Sequence, residues 1–441
     1  MPNTAMSVYP KYETYKDSGV EWLGEVPSHW EVVPNRALMR ERREKVGKRA
    51  PEYTLLSLTL NGVIPRDMVN PQGKFPAEFD TYSVVEPKDL VFCLFDIDET
   101  PRAVGMSNDY GMITGAYNVY APTPRIHPQF IFYYYLSLDK TKALKPLYSG
   151  LRKTIQRGVF ASAKSPLPPK SEQNSIVAFL DEKTAQIDEL IAKKERQIKL
   201  LEEQKAIRIN QAVTRGLNPE VKLKPSGIEW IGDIPEHWVV VKLRRLLVNI
   251  EQGNSPTAVQ DDGELDQWKV ITLSAVSKGA YKQEAFKPIS ANTDNKFKNT
   301  LADGDLLLTR ANTRSLVGDC CIVRNVLINT TFSDLVYRFS PNKRANKSYL
   351  LCYLLSKAAR AQIERDARGS NETMCKVSHS HIKEWDITLP PPSEQTDIVE
   401  NLANYQKKHE TTLGAIKAQI QSLKTLRSTL IAHAVTGKIR V

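Results

Sequence analysis

Four short segments of this 441-residue chain carry side chains whose types and spacing suit chemistry. The chemistry they suit is hydrogen-bond recognition. DLLLTR runs into ANTRSLVG and offers Arg310, Asn312 and Arg314 within five residues. The corresponding place in the first half, FDIDETPRAVG, offers Asp96, Asp98 and Arg102. GLRKTIQRG at 150–158 offers Arg152, Lys153, Gln156 and Arg157, and GSNETMCKVS at 369–378 offers Ser370, Asn371 and Lys376. Arg pairs with the guanine edge, Asn or Gln with adenine, and a carboxylate accepts from cytosine N4. Such side chains work from loop tips on a rigid scaffold. Any one of them reads equally well as a solvated surface charge; as groups they suit hydrogen bonding to base edges. Asp96 and Asp98 could also be taken as Mg²⁺ ligands, but a polar loop or base readout fits them better.

Catalytic patterns are missing. AVTGKI at 434–439 has Ala432 where a phosphate loop needs its first Gly, and Ile439 follows the Lys. No G-x-G-x-x-G follows a strand, and the two LPP boxes lack the Asn of an adenine-holding Asn-Pro-Pro-aromatic motif. Cys375, His379 and His381 cluster without the spacing of a zinc knuckle, and Cys320 and Cys321 are adjacent. No metal site is expected. Trp22, Trp30, Trp230 and Trp238 could stack on bases, but their repetition beside Pro and His reads as structural anchoring. His29 and His237 have no visible acid partner and read as packing or hydrogen-bonding groups. Tyr133, Tyr134 and Tyr135 read as core residues whose hydroxyls reach water.

The elements that must position these residues come in two copies. SGVEWLGEVPSHWEVV at 18–33 returns as SGIEWIGDIPEHWVVV at 226–241, an offset of 208. FIFYYYLSL at 130–138 answers YLLCYLLSK at 349–357, an offset of 219 that also carries Gly150 onto Gly369. LPPKSEQ at 167 answers LPPPSEQ at 389, an offset of 222. Repetition in fixed order means two similar half-molecules, and growing offsets mean insertions in the second. After each Pro pair the apolar period turns helical, with Ser171 or Glu172 opening the first helix. Ile176, Leu180, Ile187, Leu190, Ile191, Ile198 and Leu201 trace one seam; Ile398, Leu402, Tyr405, Leu413, Ile416, Ile420, Leu423 and Leu430 trace the other. Helices this long with narrow seams pack as coiled coils. Gly216, Asn218 and Pro219 end the first, and Gly437 the second. YTLLSLTL (53–60), DLVFCLF (89–95), DLLLTR (305–310) and CCIVRNV (320–326) read as strands.

Composition sets the frame. The chain is 41% hydrophobic and 25% charged, with a net charge of +11. Residues 172–216 hold eight basic and eight acidic side chains, and residues 394–438 hold six and four, so +9 lies outside the helices. That excess permits a polyanion partner. No apolar run nears the ~20 residues a bilayer requires. Five cysteines and an N-terminal stretch without a signal-like apolar core point to a reducing cytoplasm.

With the W-[LI]-G-x-[IV]-P-x-H-W box, the L-P-P-x-S-E-Q box leading into a long helix, and both duplicated, the chain resembles the specificity subunit of type I restriction-modification systems. The resemblance spans nearly the whole chain. It implies a mixed α/β (α+β) fold with an internal pseudo-two-fold repeat. Two similar target recognition domains, 1–170 and 218–392, would be separated by two long antiparallel helices, 171–217 and 393–441, paired as a coiled coil. Each domain would read half of a split, asymmetric DNA site. The chain itself would be non-catalytic, docking two methyltransferase subunits and, for restriction, two motor-nuclease subunits. S-adenosylmethionine, ATP and Mg²⁺ would bind those partners, with no cofactor on this chain. The alternatives are a self-contained DNA methyltransferase or nuclease with an unrecognised site, and a pure interaction protein.

Overall fold

Short apolar runs bounded by turn residues build the same antiparallel sheet twice. A computed structural model describes residues 9–67, 78–148, 153–254, 267–289, 299–369 and 374–441. The chain forms two compact units: unit 1 is Met1–Glu195 with Lys417–Val441, and unit 2 is Arg196–Ile416. Unit 1 carries a four-stranded sheet in the spatial order Met39–Glu41, Asn118–Pro122, Leu90–Phe92, Val104–Met106. Unit 2 carries one in the order Leu247–Gln252, Val336–Pro341, Leu306–Thr309, Cys320–Ile322. Taken in chain order, both sheets run first, fourth, second, third, and every pairing is antiparallel. Strands expected at DLVFCLF, DLLLTR and CCIVRNV are central or edge members of these sheets. Asp89 and Asp305 enter equivalent strands, and each is held by an arginine from a different place, Arg42 and Arg338.

Beside each sheet the entry box folds alike. Tyr15–Asp17 pairs with Glu25–Pro27, and Leu223–Pro225 with Asp233–Pro235. The chain then runs into Glu31–Pro34 or Val239–Lys242, which pairs antiparallel with the strand before the Pro pair, Lys164–Leu167 or Asp386–Leu389. The aromatic stretch of unit 1 is one helix, Pro128–Thr141. Its counterpart is broken into Lys347–Leu354 and Lys357–Asp366, because the Ser356 side chain accepts from Ala359 N and caps a new helix. The hydroxyls of Tyr133 and Tyr135 do not reach water: they meet Asp181 at 2.6 Å and Ser165 at 3.1 Å, while the Tyr134 hydroxyl accepts from Trp22 Nε1 at 3.3 Å.

The long helices are Lys170–Arg215 and Pro392–Val435. At 46 and 44 residues they are about 69 and 66 Å long at ~1.5 Å per residue. The first opens at Lys170, directly after Pro169, and the second has Pro392 at its first position, where a missing N–H costs nothing. Within unit 1 they run antiparallel: Arg427 pairs with Asp188 at 3.0 Å, and Lys194 donates to Gln419 at 2.6 Å. Unit 2 repeats the pattern, with Arg208 donating to Asn401 at 3.2 Å and His409 bonded to Leu201 O. Ile176, Leu180, Ile187 and Ile191 are buried, as are Ile398, Leu402, Ile416, Ile420 and Leu430. Leu190, expected on the first seam, is 46% exposed. At 3.6 residues per turn, position 190 falls at the flank of the arc that Ile176, Leu180, Ile187 and Ile191 span.

Gly216 and Gly437 end the helices in the left-handed region, at φ +75° and +71°. Each is also pressed on an entry box. A Cβ on Gly437 would overlap the Pro27 ring, and one on Gly216 would lie 3.3 Å from the Trp238 ring.

Candidate nucleic-acid interface

Both boxes of the sequence meet at one joint, twice. Glu172, in the first turn of its helix, accepts from Trp30 Nε1 at 2.9 Å and bonds His29 Nε2 at 2.6 Å. Glu394 accepts from Trp238 Nε1 at 2.9 Å and bonds His237 Nε2 at 2.6 Å. The two histidines therefore do have acid partners, 143 and 157 residues away in sequence. Burial pushes the Glu172 carboxyl up, but hydrogen bonds from Trp30, His29 and Tyr12 outweigh it and hold the group below its usual range. Gln173 and Gln395, both buried, complete the joint. Gln173 accepts from His127 N at 2.6 Å and donates to Arg125 O and Pro168 O; Gln395 accepts from Asn346 N at 2.7 Å and donates to Arg344 O and Pro390 O. Trp30 and Trp238 are fully buried. These residues tie each entry box to the start of its long helix.

At one end of each sheet the frame brings two of the sequence segments together. In unit 1 the loop after Leu90–Phe92 bridges the segment after the aromatic helix. Phe95 pairs with Thr154, Asp96 N donates to Lys153 O at 3.0 Å, and Ile155 N donates to Leu94 O at 2.8 Å. In unit 2 the loop after Leu306–Thr309 does the same. Ala311 and Asn312 pair with Lys376 and Cys375, and Val377 N donates to Arg310 O at 2.9 Å. Residues 57 to 67 apart in sequence thus share one edge in each unit.

The side chains at these edges differ. Asp98 is tied into unit 1: it accepts from the Tyr148 hydroxyl at 2.9 Å and lies 3.5 Å from Lys153 Nζ and 3.7 Å from Lys145 Nζ. The Tyr148 hydrogen bond leads in holding its carboxyl below the usual range. Lys153 also donates to Glu99 at 2.7 Å. Asp96 is half-buried and takes a left-handed backbone, φ +44°. Arg102 turns its guanidinium to Leu60 O at 2.8 Å. Gln156 and Arg157 are exposed and line a cleft of about 440 Å³ with Phe95, Asn118 and Thr154, and Arg157 pairs with Glu41 at 3.1 Å. Phe95 and Tyr117 lie parallel beside it, 9° apart.

In unit 2, Arg314 and Lys376 are exposed. Asn312 is half-buried and accepts from Thr313 N at 2.8 Å, which leaves its amide donors directed away from that turn. Arg310 is half-buried against Asp334 O, and its Nε has no protein partner among the described residues. Arg152, Ser370 and Asn371 lie outside the described residues. Burial raises the Cys321 thiol to about 12 and the Cys352 thiol to about 11, far from the thiolate a nucleophile needs. Among the described residues no three His, Cys, Asp or Glu gather as a metal site, and no helix is long and apolar enough to cross a membrane.

The frame is duplicated, and its two polar edges are unlike. The family described as "Type I restriction modification DNA specificity domain" matches residues 109–200 and 235–422, and the chain belongs to that family. It is similar to the type I restriction enzyme EcoKI specificity subunit of Escherichia coli K12, 23% identical over 94% of this chain and 90% of that one. It is 24% identical to the MjaVIII specificity subunit of Methanocaldococcus jannaschii over 65% of this chain and 64% of that one. Its fold matches a chain of the structure described as "Structural basis underlying complex assembly and conformational transition of the type I R-M system", with TM-score 0.67, 16% identity and coverage of 93% of this chain and 98% of that one. The protein is thus a type I restriction-modification specificity subunit: it supplies DNA recognition to an assembly with modification and restriction subunits and is not itself the catalyst.

Proposed function

We propose that the two polar edges read the two halves of a bipartite, asymmetric DNA site. The observation that carries this is the matched convergence of two loop segments at one end of each sheet, with unlike side chains at equivalent places. Equal side chains would suit a palindrome; unlike ones suit two different half-sites. Unit 2 would read with Arg314, Asn312, Lys376 and, from its half-buried place, Arg310. Unit 1 would read with Gln156, Arg157 and Asp96, while Asp98 and Lys153 brace the loop. Arg152, Ser370 and Asn371 complete the proposed set.

The long helices would set the interval between half-sites, as dimer geometry does for symmetric readers. Two methyltransferase subunits and two motor-nuclease subunits would complete the assembly in the cytoplasm. S-adenosylmethionine, ATP and Mg²⁺ would sit on those partners. Phosphate contacts by the excess basic residues would make binding fall steeply with salt.

The test is the methylated motif in genomic DNA of cells that carry or lack this chain. A bipartite, non-palindromic motif that disappears with the chain is the expected result; a palindromic motif, or one that persists, overturns the reading. Methyl transfer or cleavage by the purified chain alone would favour the self-contained enzyme.

A further inference from the structure

A third element reaches the same end of each sheet. In unit 1 the hairpin Leu56–Thr59 and Gly62–Pro65 turns at Leu60 and Asn61. Its second strand lies parallel to the edge strand through Val63 and Ser107. The fit is close: a Cβ on Gly105 would lie 2.6 Å from Leu58 and 2.8 Å from Val63. This register points the turn toward residue 102, where Arg102 donates to Leu60 O at 2.8 Å. Leu60 is 63% exposed and Asn61 is exposed.

Unit 2 has the same arrangement. Val276–Ser277 pairs with Ala280–Tyr281 around a turn at Lys278 and Gly279. Gly279 lies parallel to the edge strand at Cys321, and Gly279 N donates to Cys320 O at 2.9 Å. Lys278 N donates to Asp319, at the end of the loop that begins with Arg310. Lys278 is exposed.

We propose that these two hairpin turns are a third DNA-reading element of each unit, and that Leu60–Asn61 selects an A·T pair in one half-site while Lys278 contacts guanine or phosphate in the other. The proposal rests on the bipartite reading given above. An Asn amide matches the N6/N7 edge of adenine, and an apolar side chain matches the thymine methyl. Arg102 is then a positioning residue, holding the turn through its carbonyl.

The experiment expresses the whole chain with its own modification subunits and maps methylated motifs at base resolution, with relative methylation rates on single-base variants of the site. Asn61→Ala and Leu60→Ala each relax the same one or two positions of one half-site, cutting discrimination there about tenfold or more. Arg102→Ala relaxes those positions too, and Arg102→Lys, which keeps a donor, restores them. Lys278→Ala leaves that half-site alone and weakens the other. Wild-type motifs and rates in both Leu60→Ala and Asn61→Ala overturn the proposal. If those variants are silent while Asn312→Ala changes the motif, the turn alone is wrong. If the wild-type chain directs no bipartite motif, the reading beneath it fails as well.

Discussion

The two units are most alike at the joint of entry box and helix and least alike at the loop end. At the joint of entry box and helix, unit 1 and unit 2 repeat the same bonds at the same lengths: 2.9 Å from Trp to Glu and 2.6 Å from His to Glu. At the loop end they share a backbone ladder and almost no chemistry. Unit 1 spends Asp98, Lys153 and Arg102 on its own loops; unit 2 leaves Arg314 and Lys376 exposed. Side chains whose partners are inside the protein are constrained by those partners. Side chains whose partners lie outside follow the ligand.

The largest effect should test the alike part. Trp30→Ala and Trp238→Ala should each cost about 3–5 kcal/mol in chemical or thermal unfolding. Equal losses support equivalent frames; a loss confined to one unit breaks the comparison. Next, Asn312→Ala or Arg314→Ala should cost about 1–3 kcal/mol of base discrimination in one half-site only, and Gln156→Ala should act on the other. Binding competition on half-site variants reads this out, and an effect spread over both halves would undo the division of labour.

Glu172→Gln and Glu394→Gln follow. Each leaves a ring N–H facing an amide donor, at about 1–3 kcal/mol. Glu172 also gives a pH signature. Its carboxyl titrates lower folded than unfolded, so its contribution is complete above the unfolded value and fades as pH falls through the folded one. Glu172→Gln should flatten that acid limb of a stability–pH curve; an unchanged limb would show that the joint does not depend on the charge. The smallest contrast is Gly216→Ala against Gly437→Ala. The left-handed backbone alone costs about 1–2 kcal/mol, and overlap with Pro27 adds to it only at Gly437. Melting should therefore drop further for the Gly437 variant.

Much of the frame was legible because repetition announces itself. Two copies of each box, a Pro pair before each helix and a Gly after it are local signals with local causes. What bonded to what was not legible. Glu172 reads as a helix-opening acid, and nothing nearby says that it holds a Trp 142 residues back. Leu190 fits a seam on paper because its neighbours do; its exposure is set by the partner helix. The stretch 53–60 reads as one strand, whereas the chain turns at Leu60 and Asn61 and continues as the hairpin strand Gly62–Pro65. Of the recognition residues, the pairing of segments near 96 and 154 depends on a sheet edge that no spacing encodes. The chemical types at that edge were legible, and whether each faces outward or inward was not.

The buried amides of Gln173 and Gln395 carry one more consequence. Each side chain binds three stretches of backbone: the strand end before its helix, the turn before the aromatic helix, and that helix's own start. None of these stretches belongs to the loops proposed to read DNA. Architecture and vocabulary are thereby written in separate places. Substitution at the proposed reading edges would leave this fastening untouched, because none of its bonds involves those edges.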